Sequence, residues 1–313
     1  MKKVLFATTA IVLTAGAAAA QNVTISGTAR AGLNYVENRG LGQNDTIVEH
    51  RLRFNIDAAK ETDSGVTFGG RTRIQYDENN SASALNAAYV YAEYNGLRVE
   101  VGNANTAMDT VALMFNAELG FIGQTFGSYN GQAFNAYRTG AYGAGQTNRM
   151  GVFGSYSIAG FNLKASYLTP DQLNDPLPAG VKEEFQMAAD YNFGAFTIAG
   201  AFGLNAGFID NRDEYFLGGE YAFNPDGNVG LHINHTNFSG VGDMTTVTLY
   251  GNYQFGAITA RGYIANNDLA GNKTDVAVGV GADYDLGGAT LAGGIERDYN
   301  EDMRANLGVK FSF

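Results

Sequence analysis

The sequence predicts an all-β chain that closes as a 16-stranded antiparallel transmembrane β-barrel, and three observations carry that reading. Apolar and polar residues alternate with period two through most of the chain, as they do where one strand face meets lipid and the other meets water. Short tyrosine-led punctuation recurs, and its last four tyrosines, Tyr191, Tyr221, Tyr253 and Tyr284, stand 30, 32 and 31 residues apart. That spacing holds a hairpin of two strands of roughly ten residues with their connections. Finally, 42 glycines against 4 prolines suit strands and turns, and the lack of cysteine leaves packing and hydrogen bonds to hold the structure.

The chain opens with Lys2 and Lys3, an apolar run from Val4 to Leu13 and a small-residue stretch ending at Ala20. This is the layout of a secretory signal over residues 1–20, cleaved after Ala20, with 21–313 as the barrel domain. Its apolar part is too short to span hydrocarbon as a helix. Removing it takes two of the 20 basic residues and no acid, leaving 18 against 31 and a formal charge of −13. A nucleic-acid partner is thereby disfavoured. No later stretch approaches the length of a helical membrane span.

Sixteen strands are expected near residues 23–35, 47–59, 66–76, 84–94, 97–102, 148–157, 161–168, 183–192, 195–203, 214–223, 228–237, 245–254, 257–265, 274–284, 289–297 and 303–313. In the first, Val23, Ile25, Ala29, Ala31, Leu33 and Tyr35 point one way, and Thr24, Ser26, Thr28, Arg30 and Asn34 the other. In the last, Met303, Ala305, Leu307, Val309, Phe311 and Phe313 alternate with Arg304, Asn306, Lys310 and Ser312. The even count lets both ends lie on one side. Seven short turns, the first over 60–65, alternate with eight longer, more polar loops, the asymmetry of barrels with short periplasmic turns and long external loops. Tyrosines and phenylalanines gather at strand ends, where an amphipathic ring suits the headgroup level and forms a girdle. A soluble sandwich would need no such band, and a closed barrel is how strands satisfy their backbone groups in lipid.

Three stretches resemble the general-diffusion porins of Gram-negative bacteria, particularly the alphaproteobacterial type: 23–33 (VTISGTARAGL), 62–69 (TDSGVTFG) and 302–313 (DMRANLGVKFSF). The resemblance implies an outer-membrane channel for passive diffusion of small hydrophilic solutes and ions. It also implies a homotrimer whose third external loop folds inward, embedded among lipid and lipopolysaccharide. The terminal Phe313 resembles the aromatic signal by which the barrel-assembly machinery takes such proteins.

Residues 103–147 form the longest stretch without alternation, and a loop of that length in a compact structure is functional or disordered. We read it as the constriction loop. It holds Phe115, Phe121, Phe126, Tyr129, Phe134, Tyr137 and Tyr142, but only Asp109 and Glu118 as acids. The family's loop usually contributes several carboxylates, so this one departs from a strongly cation-attracting constriction. Strand parity supplies the opposite wall. With Leu52, Phe54 and Ile56 toward lipid, Arg51 and Arg53 point inward; with Val66, Phe68, Ile74 and Tyr76 outward, Arg71 and Arg73 do the same. Together with Arg30 they place five guanidinium groups in one lumen sector, where fixed charge sets selectivity. Like charges this close call for acids nearby, with Asp109, Glu118 and Glu100 as candidates. The rings of Phe115, Phe121, Phe126 and Tyr129 admit two readings: a stacking track for a sugar-like solute, or packing against the wall.

No catalytic chemistry has a visible carrier. His50 stands alone, His232 and His235 fall on opposite strand faces, and no nucleophile elbow, phosphate loop or zinc motif occurs. An enzyme is therefore not expected, and no cofactor. Acids gather in the expected external loops at Asp77, Glu78, Asp171, Asp175, Asp210, Asp213, Glu214, Asp298, Glu301 and Asp302. They read as a solvated rim, with divalent cations bridging them to lipopolysaccharide as a second reading. Besides general diffusion, a solute-specific channel and a structural or adhesive barrel with a blocked lumen stay open.

Overall fold

The computed structural model describes residues 22–77, 80–127, 133–143, 146–238, 240 and 242–313. The expected signal segment, Glu78 and the loop aromatic Tyr129 lie outside these residues. The strands are β1 (Asn22–Val36), β2 (Thr46–Glu61), β3 (Thr67–Asp77), β4 in two segments (Asn80–Leu85 and Tyr89–Tyr94), β5 (Leu97–Gly102), β6 (Met150–Ile158), β7 (Phe161–Thr169) and β8 (Glu184–Phe193). They continue with β9 (Phe196–Leu204), β10 (Asp213–Asn224), β11 (Gly227–Phe238), β12 (Gly242–Phe255), β13 (Ile258–Asn267), β14 (Val276–Asp285), β15 (Ala289–Arg297) and β16 (Met303–Ser312). Each pairs antiparallel with its chain neighbours, and β1 pairs with both β2 and β16, so the sheet has no free edge. This closed, sixteen-stranded antiparallel barrel satisfies the backbone groups that an open sheet would leave bare in lipid.

Alternation does what the sequence requires of it. Leu33, Leu52, Phe68, Val90, Leu163, Leu217, Leu249, Val280 and Leu307 are exposed on the outer face, whereas Asn34, Glu100, Gln186, Glu214 and Asn306, at positions of the opposite parity, are buried on the inner one. A charge on the outer face at mid-membrane costs about 2–4 kcal/mol, which keeps such positions apolar. At the end of the short turns, rings form a ladder along the outer face. Phe161 stacks on Tyr191 at 4.0 Å, Tyr191 on Phe193 at 5.7 Å, Phe193 on Phe196 at 5.5 Å and Phe196 on Tyr221 at 4.6 Å. This is the girdle read from the tyrosine punctuation.

The chain's last residue completes the closure. Phe313 N–H donates to Gly27 O at 3.0 Å, and Phe313 O accepts from the Gly27 N–H at 2.7 Å. Its ring lies over Gly27, where a Cβ would come within 2.5 Å of it, and meets Phe54 edge-on at 5.4 Å.

Two differences from the sequence reading have physical causes. The fourth strand is broken at 86–88, because Asn86, whose N–H still donates to Arg73 O at 2.9 Å, offers its side-chain oxygen to the Arg73 N–H in place of a backbone carbonyl. Its Oδ1 accepts the Arg73 N–H at 2.6 Å, and its Nδ2 donates to Arg138 O in the long loop at 3.0 Å. The second difference is in loop length. Extension of β3, β4, β11 and β12 past their expected ends leaves only two residues, 78–79, and three, 239–241, in connections expected to be long.

Candidate functional site

The long loop is bound to inward-facing side chains around much of the barrel. Beyond Gly102 the chain is held to Glu100 of β5, which is 1% exposed and accepts from the Asn105 N–H at 2.9 Å and from Arg98 Nε at 2.7 Å. Glu100 therefore anchors the start of the loop and does not balance the arginine sector. Further along, Ala107 N–H donates to Ser166 Oγ, Met108 N–H to Gln186 Oε1, Phe121 N–H to Asn306 Oδ1 and Phe126 N–H to Tyr263 Oη, all between 2.8 and 3.1 Å. Ala133 N–H donates to Glu214 Oε1 at 2.5 Å and Asn135 N–H to Glu184 Oε1 at 3.0 Å. Glu214, expected on the acidic rim, is instead a buried anchor of this loop.

Two apolar clusters fill the space beneath it. Ala107, Met108, Val111, Leu113, Met114 and Phe134 pack on Ala188, Ala199, Ala201 and Phe216, while Ala117, Leu119 and Phe126 pack on Tyr250, Tyr263, Ala265, Ala277 and Tyr299. Full burial of side chains such as Met108 and Met114 stabilises by about 1.5–3 kcal/mol each. Small wall residues make room for the loop. A Cβ at Gly32 or Gly308 would come within 2.9 or 2.7 Å of the Phe121 ring, and one at Gly120, whose φ is +73°, would reach 1.9 Å from Asn306 Oδ1.

These contacts decide between the two readings of the loop aromatics. Phe121 is sealed over β1 and β16, and Phe126 lies between Tyr299, edge-on at 6.1 Å, and the Arg304 guanidinium at 4.5 Å. Neither offers a face on which a solute can stack. Phe115 is partly buried against the first cluster. The stacking track is thus corrected to packing at the two positions where burial is complete, since a ring cannot both fill the wall's recess and receive a solute.

The arginines lie where parity places them. Arg30 of β1 is directly opposite Arg51 of β2, Thr28 opposite Arg53, and Asn55 of β2 opposite Arg73 of β3. Arg30 Nη1 donates to Ile122 O in the loop at 2.9 Å, and Arg53 Nε to Gln75 Oε1 at 2.6 Å. Arg73 donates to Asn55 Oδ1 at 2.8 Å and Thr139 Oγ1 at 3.0 Å, and lies 4.5 Å over the Tyr137 ring. Arg71 differs. It holds Asp57 through two bonds of 2.6 and 3.1 Å, so its charge is neutralised within the wall.

Both loop acids face cations. Burial pushes the Asp109 carboxyl above the ordinary range, against the pull of the Tyr137 backbone N–H and of Arg73 and Arg53. Burial pushes Glu118 up to about 7, although Lys310, Arg30 and Arg261 oppose the shift. Lys310 falls on the polar side of the last strand's alternation, and Arg261 was not singled out in the sequence; only the folded loop brings both to Glu118.

Other sequence candidates separate. His232 is buried on the inner face against Phe216 and Tyr250, whereas His235 takes the outer parity and meets Thr245 at 3.0 Å. Among the described residues no three His, Asp or Glu side chains group closely enough to hold a metal ion.

The family described as Gram-negative porin matches residues 7–303. A porin of Fuscovulum blasticum is 42% identical over 294 residues, covering 93% of this chain and 100% of that protein. A porin of Rhodobacter capsulatus is 30% identical over 168 residues, 52% of this chain and 50% of its own. Solved structures of variants of Rh. blastica porin share 41% identity and superpose with a TM-score of 0.87, covering 93% of this chain and 100% of theirs.

Proposed function

This chain belongs to the Gram-negative porin family, and from that premise we propose that it is a general-diffusion channel with its waist between the Arg30, Arg51, Arg53 and Arg73 wall and the loop acids Asp109 and Glu118. As a member of that family it is a β-barrel of the bacterial outer membrane that forms a channel for small hydrophilic solutes. The observation that carries the general-diffusion reading is the burial of Phe121 and Phe126, which removes the ring faces a sugar track needs. Fixed charge on both sides of a narrow aqueous path favours polar, hydrated solutes and disfavours apolar ones.

The same proposal includes a homotrimer in contact with lipopolysaccharide, export by residues 1–20 and assembly through Phe313; likeness to the family supports these. It includes no catalysis and no cofactor. Divalent cations bridging exposed acids such as Asp171 and Asp175 to lipopolysaccharide complete it.

Reconstitution of the purified protein into planar bilayers and liposomes tests the reading. Stepwise conductance is expected, with liposome swelling that falls smoothly with solute size and flux linear in solute concentration. Absence of steps overturns the channel, and saturable flux for one solute overturns general diffusion in favour of a specific site.

A further inference from the structure

Charge in this lumen is distributed unevenly. On most of the inner wall, each cation has an acid. Lys164 meets Asp190 at 3.0 Å, Arg98 meets Glu100 at 2.7 Å, Arg261 meets Asp283 at 3.1 Å, Arg304 meets Asp298 at 3.6 Å and Arg71 meets Asp57 at 2.6 Å. Arg30, Arg53 and Arg73 are the exception. Among the described residues none of the three forms an ion pair, and their hydrogen bonds go to a loop carbonyl, two side-chain amides and a hydroxyl, all neutral oxygens. Gln75, which accepts from Arg53, donates in turn to the Asp77 carboxylate at 2.7 Å.

Three guanidinium groups held together without counter-charge repel one another, and they remain so only because β1, β2 and β3 fix their stems in register. Facing them, the loop supplies two acids, both buried and so biased toward the neutral form. Guanidinium forks present paired N–H donors that match the oxygens of carboxylate and phosphate, and an anion placed among them relieves the repulsion.

We propose that Arg30, Arg53 and Arg73 form a binding site for small oxyanions, carboxylate or phosphate in chemistry, and that the pore selects anions at its waist although the chain as a whole is acidic. This rests on the constriction reading given above and adds the class of solute that the constriction favours. Neutral amide and hydroxyl partners hold the forks in place without cancelling their charge. Arg71, paired with Asp57, is a wall residue outside the site.

The experiment is bilayer electrophysiology on the full mature protein. In a potassium chloride gradient the reversal potential is expected on the anion side, and added inorganic phosphate should reduce chloride current saturably. The double variant Arg53→Gln, Arg73→Gln should lower the anion-to-cation permeability ratio about fivefold, as loss of two charges beside a partly screened path implies, and remove the phosphate block. The variant Arg71→Gln, Asp57→Asn removes equal and opposite charges and should leave both readouts in place. A cation-side reversal potential in the unaltered protein, or phosphate inhibition that never saturates, overturns the proposal while the conductance steps still stand. Loss of steps in the unaltered protein overturns the channel reading itself. Both readouts are obtained on the native chain, so a double variant that fails to fold does not decide the matter.

Discussion

The two inner walls of this barrel use polar residues in opposite ways. Along β7 to β16, inward side chains such as Ser166, Gln186, Glu184, Glu214, Tyr263 and Asn306 receive loop backbone N–H groups, and apolar residues between them bury the loop's own. Along β1 to β3, the inward residues are arginines whose partners are mostly neighbours in the wall. One wall fixes the loop; the other, in the channel proposed above, faces the path that the loop narrows. A pore of defined width needs both, because a charged sector selects only if its opposite side does not move away from it.

The largest break in this contrast comes from the holding wall. In Glu184→Ala combined with Glu214→Ala, the N–H groups of Ala133 and Asn135 lose their acceptors. Each buried donor left unsatisfied costs about 1–3 kcal/mol, so this part of the loop should detach. Larger unitary conductance and cleavage within 103–147 by added protease are expected, with the barrel resistant. An uncut loop and an unchanged step size would mean the apolar clusters suffice. A smaller break is Gly120→Ala. The left-handed backbone there costs an L-residue about 1–2 kcal/mol, and the added carbon meets Asn306 Oδ1. Broader open-channel noise is expected, with selectivity retained; quiet channels would show that the turn adjusts.

The difference between the walls also explains what could be read from sequence. Parity alone places Arg51, Arg53, Arg71 and Arg73 inside, since a strand fixes side-chain direction residue by residue. It cannot show that Arg71 is neutralised, because Asp57 lies across from it on β2 and their pairing depends on register. The loop was legible as a loop, and its scarcity of acids as a departure. Its anchors were not: Glu214 reads as one more rim acid, and Phe121 and Phe126 leave a track open beside packing until Gly32, Gly308 and Tyr299 are brought beneath them. Irregular chain carries no period from which burial can be inferred, so contacts 92 to 185 residues apart, such as Arg30 with Ile122 and Phe121 with Asn306, emerge only from the fold.

The smallest expected effect is the sharpest probe of the charged sector. Glu118 faces Lys310 of β16, Arg30 of β1 and Arg261 of β13, and its carboxyl sits at about 7 because burial outweighs those three cations. Being raised, it is ionised at pH 8 and gains its proton as pH falls to 6, which removes a negative charge from the loop side of the waist. Anion preference should therefore rise by about twofold over that interval, the weight of one partly screened charge. The barrel's histidines do not supply an alternative source: His50 and His235 take the lipid-facing parity, and His232 is sealed beneath the loop. Asp109, facing Arg73 and Arg53, is the other acid biased upward. Reversal potentials at pH 6 and 8 separate the two. Glu118→Gln should hold the higher anion preference at both values, whereas Asp109→Asn should keep the change with pH. If Glu118→Gln titrates as the unaltered protein does, the acid that tempers the arginines lies elsewhere, and the loop side of the waist must be redrawn around Asp109.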